Sequence, residues 1–255
     1  MSNSPLVTYT RISPNRSSPR TRTVDRITIH CYVGQVTAKQ GCSGSRFVNY
    51  DPVGGASCNY VVGCDGSIGL CVPESDRAWC SSSPSNDSRA ITIETASDTT
   101  HPYAVTKEAY KALLDLCTDI CWRYGKQRLV WLGDKDKTLA YQPAENEMVL
   151  TVHRWFAAKA CPGQYLLDRQ GEIAEEVTRR LQEEIDAMTY EQWKEYMTRY
   201  RTELAAQNAT MPDLVDDAVG LGISADGARP RDLMTREEGM VMAMAAVRAA
   251  KKDPA

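Results

Sequence analysis

The sequence predicts an α/β fold over roughly its first 186 residues, on three observations. Short segments of strict apolar–polar alternation recur along the chain, two longer segments carry apolar residues at three- and four-residue steps, and the two kinds are interleaved. An α+β arrangement draws on the same pattern. At 255 residues the chain has room for one large domain and a smaller module.

Residues 1–26 are rich in Ser, Thr, Pro and Asn and carry Arg11, Arg16, Arg20, Arg22 and Arg26, so they are expected to be an extended arm leading into the domain. Arg26–Tyr32 (RITIHCY) sets Ile27, Ile29 and Cys31 against Thr28, His30 and Tyr32, the signature of a half-buried strand. Cys58–Cys64 and Ile68–Val72 flank Asp65-Gly66, a hairpin signal in which both turn residues are expected at positive φ. Ala90–Thr95 alternates again, with Ile91 and Ile93 facing away from Thr92 and Glu94. From about 105 to 124, Tyr110, Leu113, Leu114, Cys117, Ile120, Cys121 and Tyr124 form one helical stripe that Gly125 ends. Arg128–Leu132 is a further strand, 134–147 a polar loop, and about 163–186 a single helix with Leu166, Ile173, Val177, Leu181 and Ile185 as its stripe. The composition then shifts: 187–255 lack cysteine and histidine, are slightly acidic, and predict helices at about 190–206, 211–220 and 235–250. The domains are therefore 1–186 and a small helical module, 187–255.

Apolar residues make up 42% and charged residues 25%, which excludes disordered, collagenous and disulfide-framework classes. A net charge of −3 provides no field that would recruit nucleic acid. No apolar run approaches the roughly 18–20 residues of a membrane helix, so no membrane insertion is expected. No apolar stretch follows the N-terminal arginines, so no signal peptide is expected and the protein should stay in the cytoplasm until something lets it out. The nine cysteines show no CxxC spacing and are read as buried thiols.

Only three histidines are present. His30 lies on the polar face of its strand, His153 in LTVHRWFAAKACPG eight residues before Cys161, and His101 in a loop to which no role is given. Two imidazoles and a thiolate can hold a zinc ion with an open position for water. By spacing alone they can equally be satisfied core or surface side chains. Glu94 is either a solvated strand carboxylate or, beside a metal-activated water, a general base. Lys159, two residues before Cys161, is either a surface charge or a stabiliser of an oxyanion.

ITIHCY, SCNYVVGCDGSI, VPESDRAW, NDSRAITIE and LTVHRWFAAKACPG follow one another across residues 27–163. In combination they resemble the zinc N-acetylmuramoyl-L-alanine amidases related to T7 lysozyme and the peptidoglycan recognition proteins, in particular endolysins of phages and prophages of Gram-positive, clostridial-type bacteria. The resemblance implies a mixed central sheet flanked by helices with a zinc cleft on one face. It implies hydrolysis of the amide between N-acetylmuramic acid and L-alanine in peptidoglycan. It makes His30, His153 and Cys161 the zinc ligands, Glu94 the base and Lys159 the oxyanion partner. Some relatives carry a catalytic tyrosine where this chain has Cys58; Tyr60, two places on and expected on the same strand face, is the substitute candidate. The tryptophan–histidine pair of some relatives is here Trp79-Cys80.

Residues 222–249 (GISADGARPRDLMTREEGMVMAMAAVRA) resemble one surface-layer-homology repeat or an endolysin C-terminal module. That implies wall targeting or, through the apolar face around Leu233, Met240 and Met244, a homo-oligomer; an interaction module without a wall ligand is the alternative. The rival functions are a non-catalytic peptidoglycan-binding module of the same fold and a structural zinc or thiol-rich protein with no wall role.

Overall fold

Two residue patterns, Ile27/Ile29 and Ile91/Ile93, set the centre of the molecule. In a computed structural model that describes residues 3–186, 194–195 and 197–198, they lie on adjacent parallel strands. In chain order the elements are β1 (Tyr9–Thr10), β2 (Arg16–Ser17), β3 (Arg26–Cys31), α1 (Ala38–Cys42), α2 (Ser45–Val48), β4 (Tyr60–Val62), β5 (Ile68–Leu70), β6 (Arg77–Ala78), α3 (Pro84–Asp87), β7 (Ala90–Thr95), α4 (Lys107–Arg123), β8 (Arg128–Val130), α5 (Lys135–Ala140), β9 (Glu147–Val152), a 3₁₀ turn (His153–Trp155), α6 (Gly163–Asp168) and α7 (Gln170–Asp186). Seven strands form one mixed sheet in the order β1-β5-β4-β7-β3-β9-β8, antiparallel only at β4–β5, with helices packed on it. The α/β expectation with a mixed central sheet therefore holds.

The isoleucine face of β3 and β7 packs with Leu113, Leu116 and Ile120 of α4 and Ile173, Val177 and Leu181 of α7. α4 starts on Thr106, whose side chain accepts from Ala109 N, and stops in a Schellman arrangement. Gly125 (φ 66°) sends its N–H to Trp122 O at 3.0 Å and Lys126 sends its N–H to Cys121 O at 2.8 Å.

The opposite face differs from the expectation of half-burial: β3 is buried at every residue. The reason is that its polar residues are bonded rather than solvated. Thr28 and Thr151 share a 2.7 Å hydrogen bond, and Asn86 of α3 donates to Thr28 (2.9 Å) and accepts from Thr151 (3.2 Å). Buried hydroxyls with partners carry little net penalty.

Four further expectations are corrected. The hairpin turn has positive φ at Gly66 (80°) but not at Asp65, because the loop is longer than two residues: Gly63 N bonds Ser67 O at 2.8 Å, and the Asp65 carboxylate accepts from Ser67 N. The polar loop at 134–147 contains α5, capped by Asp134, which accepts from Lys137 N at 2.8 Å. Its last residue opens β9, a strand the sequence reading left out. The single helix at 163–186 breaks at Arg169, whose guanidinium lies 3.8 Å over the Tyr165 ring while Gln170 turns inward and donates to Leu166 O. Finally, the arm is part of the sheet, through β1 beside β5. Its Asn15 is fully buried, donates to Arg46 O and Asn49 O, and accepts from Asp51 N. In that way the arm fixes the loop that follows α2.

All nine cysteines are free thiols; Cys31, Cys42, Cys58, Cys71, Cys117 and Cys121 are buried. No helix among the described residues is long and apolar enough to cross a membrane. The chain divides between Asp186 and Ala187. Of the first helix expected after 187, at about 190–206, residues 194–195 and 197–198 are described and are helical; the other two expected helices, the surface-layer-like segment and the side chain of Ile185 lie outside the described residues.

Candidate functional site

The carboxyl ends of parallel strands are where open α/β sheets gather ligands. His30 and Glu94, near the ends of β3 and β7, are register partners and so project from the same face. His153 follows β9 directly and opens the 3₁₀ turn. Trp155, two residues on, stacks on Trp131 beyond the end of β8, with ring centres 5.1 Å apart and planes within 1°. That contact pins the turn carrying His153. The loop then doubles back: Arg154 N donates to Cys161 O at 3.1 Å, returning Cys161 to the site.

Three of the expected residues thus converge. Cys161 Sγ lies 3.3 Å from His30 Nδ1, the two imidazole rings are 5.0 Å apart, and one donor atom from each of His30, His153 and Cys161 lies within 4.8 Å of the others. Burial, and then the neighbouring His153, lower His30 to about 3; burial, and then Lys159, lower His153. Both rings are neutral and offer lone pairs rather than charge. The set fits zinc. With bonds of about 2.3 Å to thiolate and about 2.0–2.1 Å to imidazole, two tetrahedral donors stand about 3.6 Å apart. His30 Nδ1, 3.3 Å from Cys161 Sγ, stands close to that separation, as one ligand atom beside another.

Glu94 joins this cluster. Burial pushes its carboxyl up to about 8, against the opposing Arg46 charge, and its Oε2 has no partner. A divalent cation a few ångströms away acts in the opposite direction and favours the carboxylate. The site opens into a cleft of about 870 Å³ lined by Glu94, His153 and Lys159 together with Arg46, Trp79 and Cys80. Lys159 sits exposed at its rim.

Tyr60 is not part of the site. It pairs in register with Ile93, which puts it on the helix-covered face opposite Glu94, fully buried. Its hydroxyl donates to Glu74 Oε1 and accepts from Ser4 N. Cys58 lies before β4 begins and packs on the other side with Cys42 and Phe47. The alternation does not run through Asn59, whose side-chain amide bonds Val72 O and Thr92 N instead. Tyr60→Phe should therefore leave kcat unchanged while lowering the unfolding free energy by about 1–3 kcal/mol, since Glu74 and Ser4 lose a buried partner; urea unfolding beside a turnover assay checks both.

Sequence reasoning missed two contributors. Cys80 places its thiol 3.9 Å from Glu94 Oε1. Asp87 builds the loop that presents it, with its buried carboxylate accepting from Cys80 N and Ser81 N; the next residue, Ser82, meets His153 Nε2 at 3.2 Å. The Asn86-Asp87 pair was visible in NDSRAITIE, but the Asp87 targets, Ser81 and Cys80, lie six and seven residues upstream and no periodicity announces them.

No curated protein sequence matches the chain. Among solved structures, PlyL is 18% identical with a TM-score of 0.46, covering 66% of this chain and 95% of that one. The PlyG catalytic domain is 18% identical with a TM-score of 0.45, covering 67% and 93%. The endolysin amidase LysCS of Clostridium intestinale is 17% identical with a TM-score of 0.37, covering 62% and 88%. The sequence profile of one family, described as N-acetylmuramoyl-L-alanine amidase, matches residues 20–164, a span that holds His30, Glu94, His153, Lys159 and Cys161 and more than half of the chain. On that match the chain belongs to the N-acetylmuramoyl-L-alanine amidase family.

Proposed function

We propose that this amidase is an endolysin of a phage or prophage of Gram-positive, clostridial-type bacteria, and that its site holds zinc through His30, His153 and Cys161. As a member of its family the protein hydrolyses the amide between N-acetylmuramic acid and the L-alanine of the peptidoglycan stem. The observation that carries the zinc assignment is the convergence of two neutral imidazoles and a thiol within 4.8 Å of one another, with His153 lining the cleft. The thiol of Cys161, 3.3 Å from His30 Nδ1, speaks against a purely wall-binding member of the fold.

Zinc held by His30, His153 and Cys161 would supply Lewis-acid polarisation of the scissile carbonyl and would acidify the attacking water. Glu94 would take a proton from the attacking water and return it to the leaving amine. The Glu94 oxygen without a protein partner, Oε2, is free to receive it. Lys159 brings a positive charge from the rim toward the oxygen that becomes negative. Lys159→Met should lower kcat about 10–100-fold with metal content unchanged, which metal analysis beside steady-state kinetics reads directly.

Digestion of purified peptidoglycan tests the reaction. New L-alanine amino termini in the mass spectrum support the amidase; new reducing sugar ends and no free alanine would replace it with a glycosidase. For residues 187–255 we propose wall targeting, with self-association as the competing role. A chain ending after about residue 186 should keep zinc and cleave soluble muropeptides, yet lose activity on intact walls, because tethering raises the local enzyme concentration at an insoluble substrate. Light scattering separates the two roles: a monomer in both forms supports targeting, and an oligomer that falls to monomer supports assembly. Release to the wall is assigned to a membrane pore, so expression without a pore-former should be harmless to host-like cells.

A further inference from the structure

We propose that Cys80, Glu94 and His30 form a second cation site in the cleft, for a thiophilic divalent ion such as zinc or cadmium, and that its occupation arrests hydrolysis. The binding does not depend on the roles given above; the arrest rests on Glu94 being the proton carrier.

One donor atom from each of the three residues lies within 4.8 Å of the others, a set that includes neither His153 nor Cys161. Cys80 Sγ and Glu94 Oε1 stand 3.9 Å apart. A thiolate and a carboxylate on one tetrahedral zinc stand about 3.6 Å apart, so a few tenths of an ångström of side-chain movement closes the site. Sulfur, nitrogen and oxygen together suit zinc and cadmium and disfavour magnesium and calcium, which demand oxygen.

A second observation points to a ligand. His30 is fully buried and its Nε2 has no hydrogen-bond partner, and neither does Glu94 Oε2. His30 Nδ1 faces Cys161, which leaves Nε2 as the ring nitrogen without a partner. Buried polar atoms are nearly always paired, and a cation between Cys80 and Glu94 gives these two their partner. The ion has a path, because Cys80 and Glu94 both line the open cleft. Binding takes Cys80 as the thiolate and, because His30 then bridges two ions through both ring nitrogens, His30 as the imidazolate, with one proton released from each. It also occupies the carboxylate that must accept a proton from water, which is why turnover stops.

The test uses the full-length, zinc-loaded protein titrated with zinc and, separately, with cadmium. Wild type should take up a second, weaker ion, lose at least tenfold of its rate as that ion binds, and with cadmium gain a thiolate-to-metal ultraviolet band. Cys80→Ala should take up one ion only and, relative to its own uninhibited rate, need at least tenfold more added metal for the same inhibition. Cys161→Ala separates the two sites: its cadmium band should persist and vanish in the Cys80→Ala/Cys161→Ala double variant. A wild type that binds a single ion, gains no band and keeps its rate in excess zinc overturns the proposal and leaves the first site standing. A Cys80-dependent band in a wild type that never holds the tight ion supports the second site and removes the first.

Discussion

Glu94→Gln should lower kcat by roughly 10²–10⁴-fold while zinc content and fold stay as in wild type. The substitution preserves shape and one hydrogen-bond acceptor but removes the group that takes up a proton. Its environment says why the effect should be large and local. The carboxyl is register partner to His30, lies in the cleft lining, and has one oxygen without a protein partner. No structural network depends on it: its one hydrogen bond among the described residues is the long contact with Cys80. A neutral amide also escapes the penalty that pushes the buried carboxyl up to about 8, so the variant should be no less stable than wild type. Single-turnover rates on a soluble muropeptide, with metal analysis of the same sample, check the prediction. Unchanged turnover would remove Glu94 as base, and Tyr60 could not replace it, since its hydroxyl is on the far side of the sheet with Glu74.

The parts of this site carried by regular strands were legible, because alternation in a strand is a statement about direction. RITIHCY and AITIET each place their isoleucines on one face, and the parallel register that sets Ile29 beside Ile93 sets His30 beside Glu94 as a consequence. α4 was legible for the same reason at a period of 3.6. What failed was structure fixed by single hydrogen bonds. α1 is five residues long and rests on a Thr37–Gln40 capping box; α5 rests on Asp134. Neither is long enough to display a period. β9 (EMVLTV) is buried at every residue, and Val149 interrupts the alternation of Glu147 and Thr151 with Met148, Leu150 and Val152, so it lacks the clean pattern that marked β3. Tyr60 was assigned by carrying alternation through Asn59, where side-chain bonds replace the ladder. Cys80 reaches Glu94 through a loop held by Asp87, a link between separate segments that a local pattern cannot express.

Cys161→Ala should leave a protein that does not retain zinc through gel filtration and whose turnover falls by more than about 10³-fold, the scale of losing an entire catalytic electrostatic element. Cys161 is a better choice than His30 for this test. His30 is fully buried between strands, so its removal would open a cavity and confuse loss of metal with loss of packing. Cys161 is only partly buried and lies outside the regular elements, between the 3₁₀ turn and α6, so alanine there costs little in the fold. Stability supplies a readout independent of activity. An ion that binds the folded chain alone stabilises it by about 2.7 kcal/mol at a hundredfold excess over Kd and about 4.1 kcal/mol at a thousandfold excess. Wild type should therefore gain several degrees in Tm when zinc is added to protein stripped by a chelator, and Cys161→Ala should gain far less. If the variant held zinc as tightly as wild type and showed the same thermal shift, the third ligand would have to come from elsewhere in the cleft, and Glu94 would be the first residue to test.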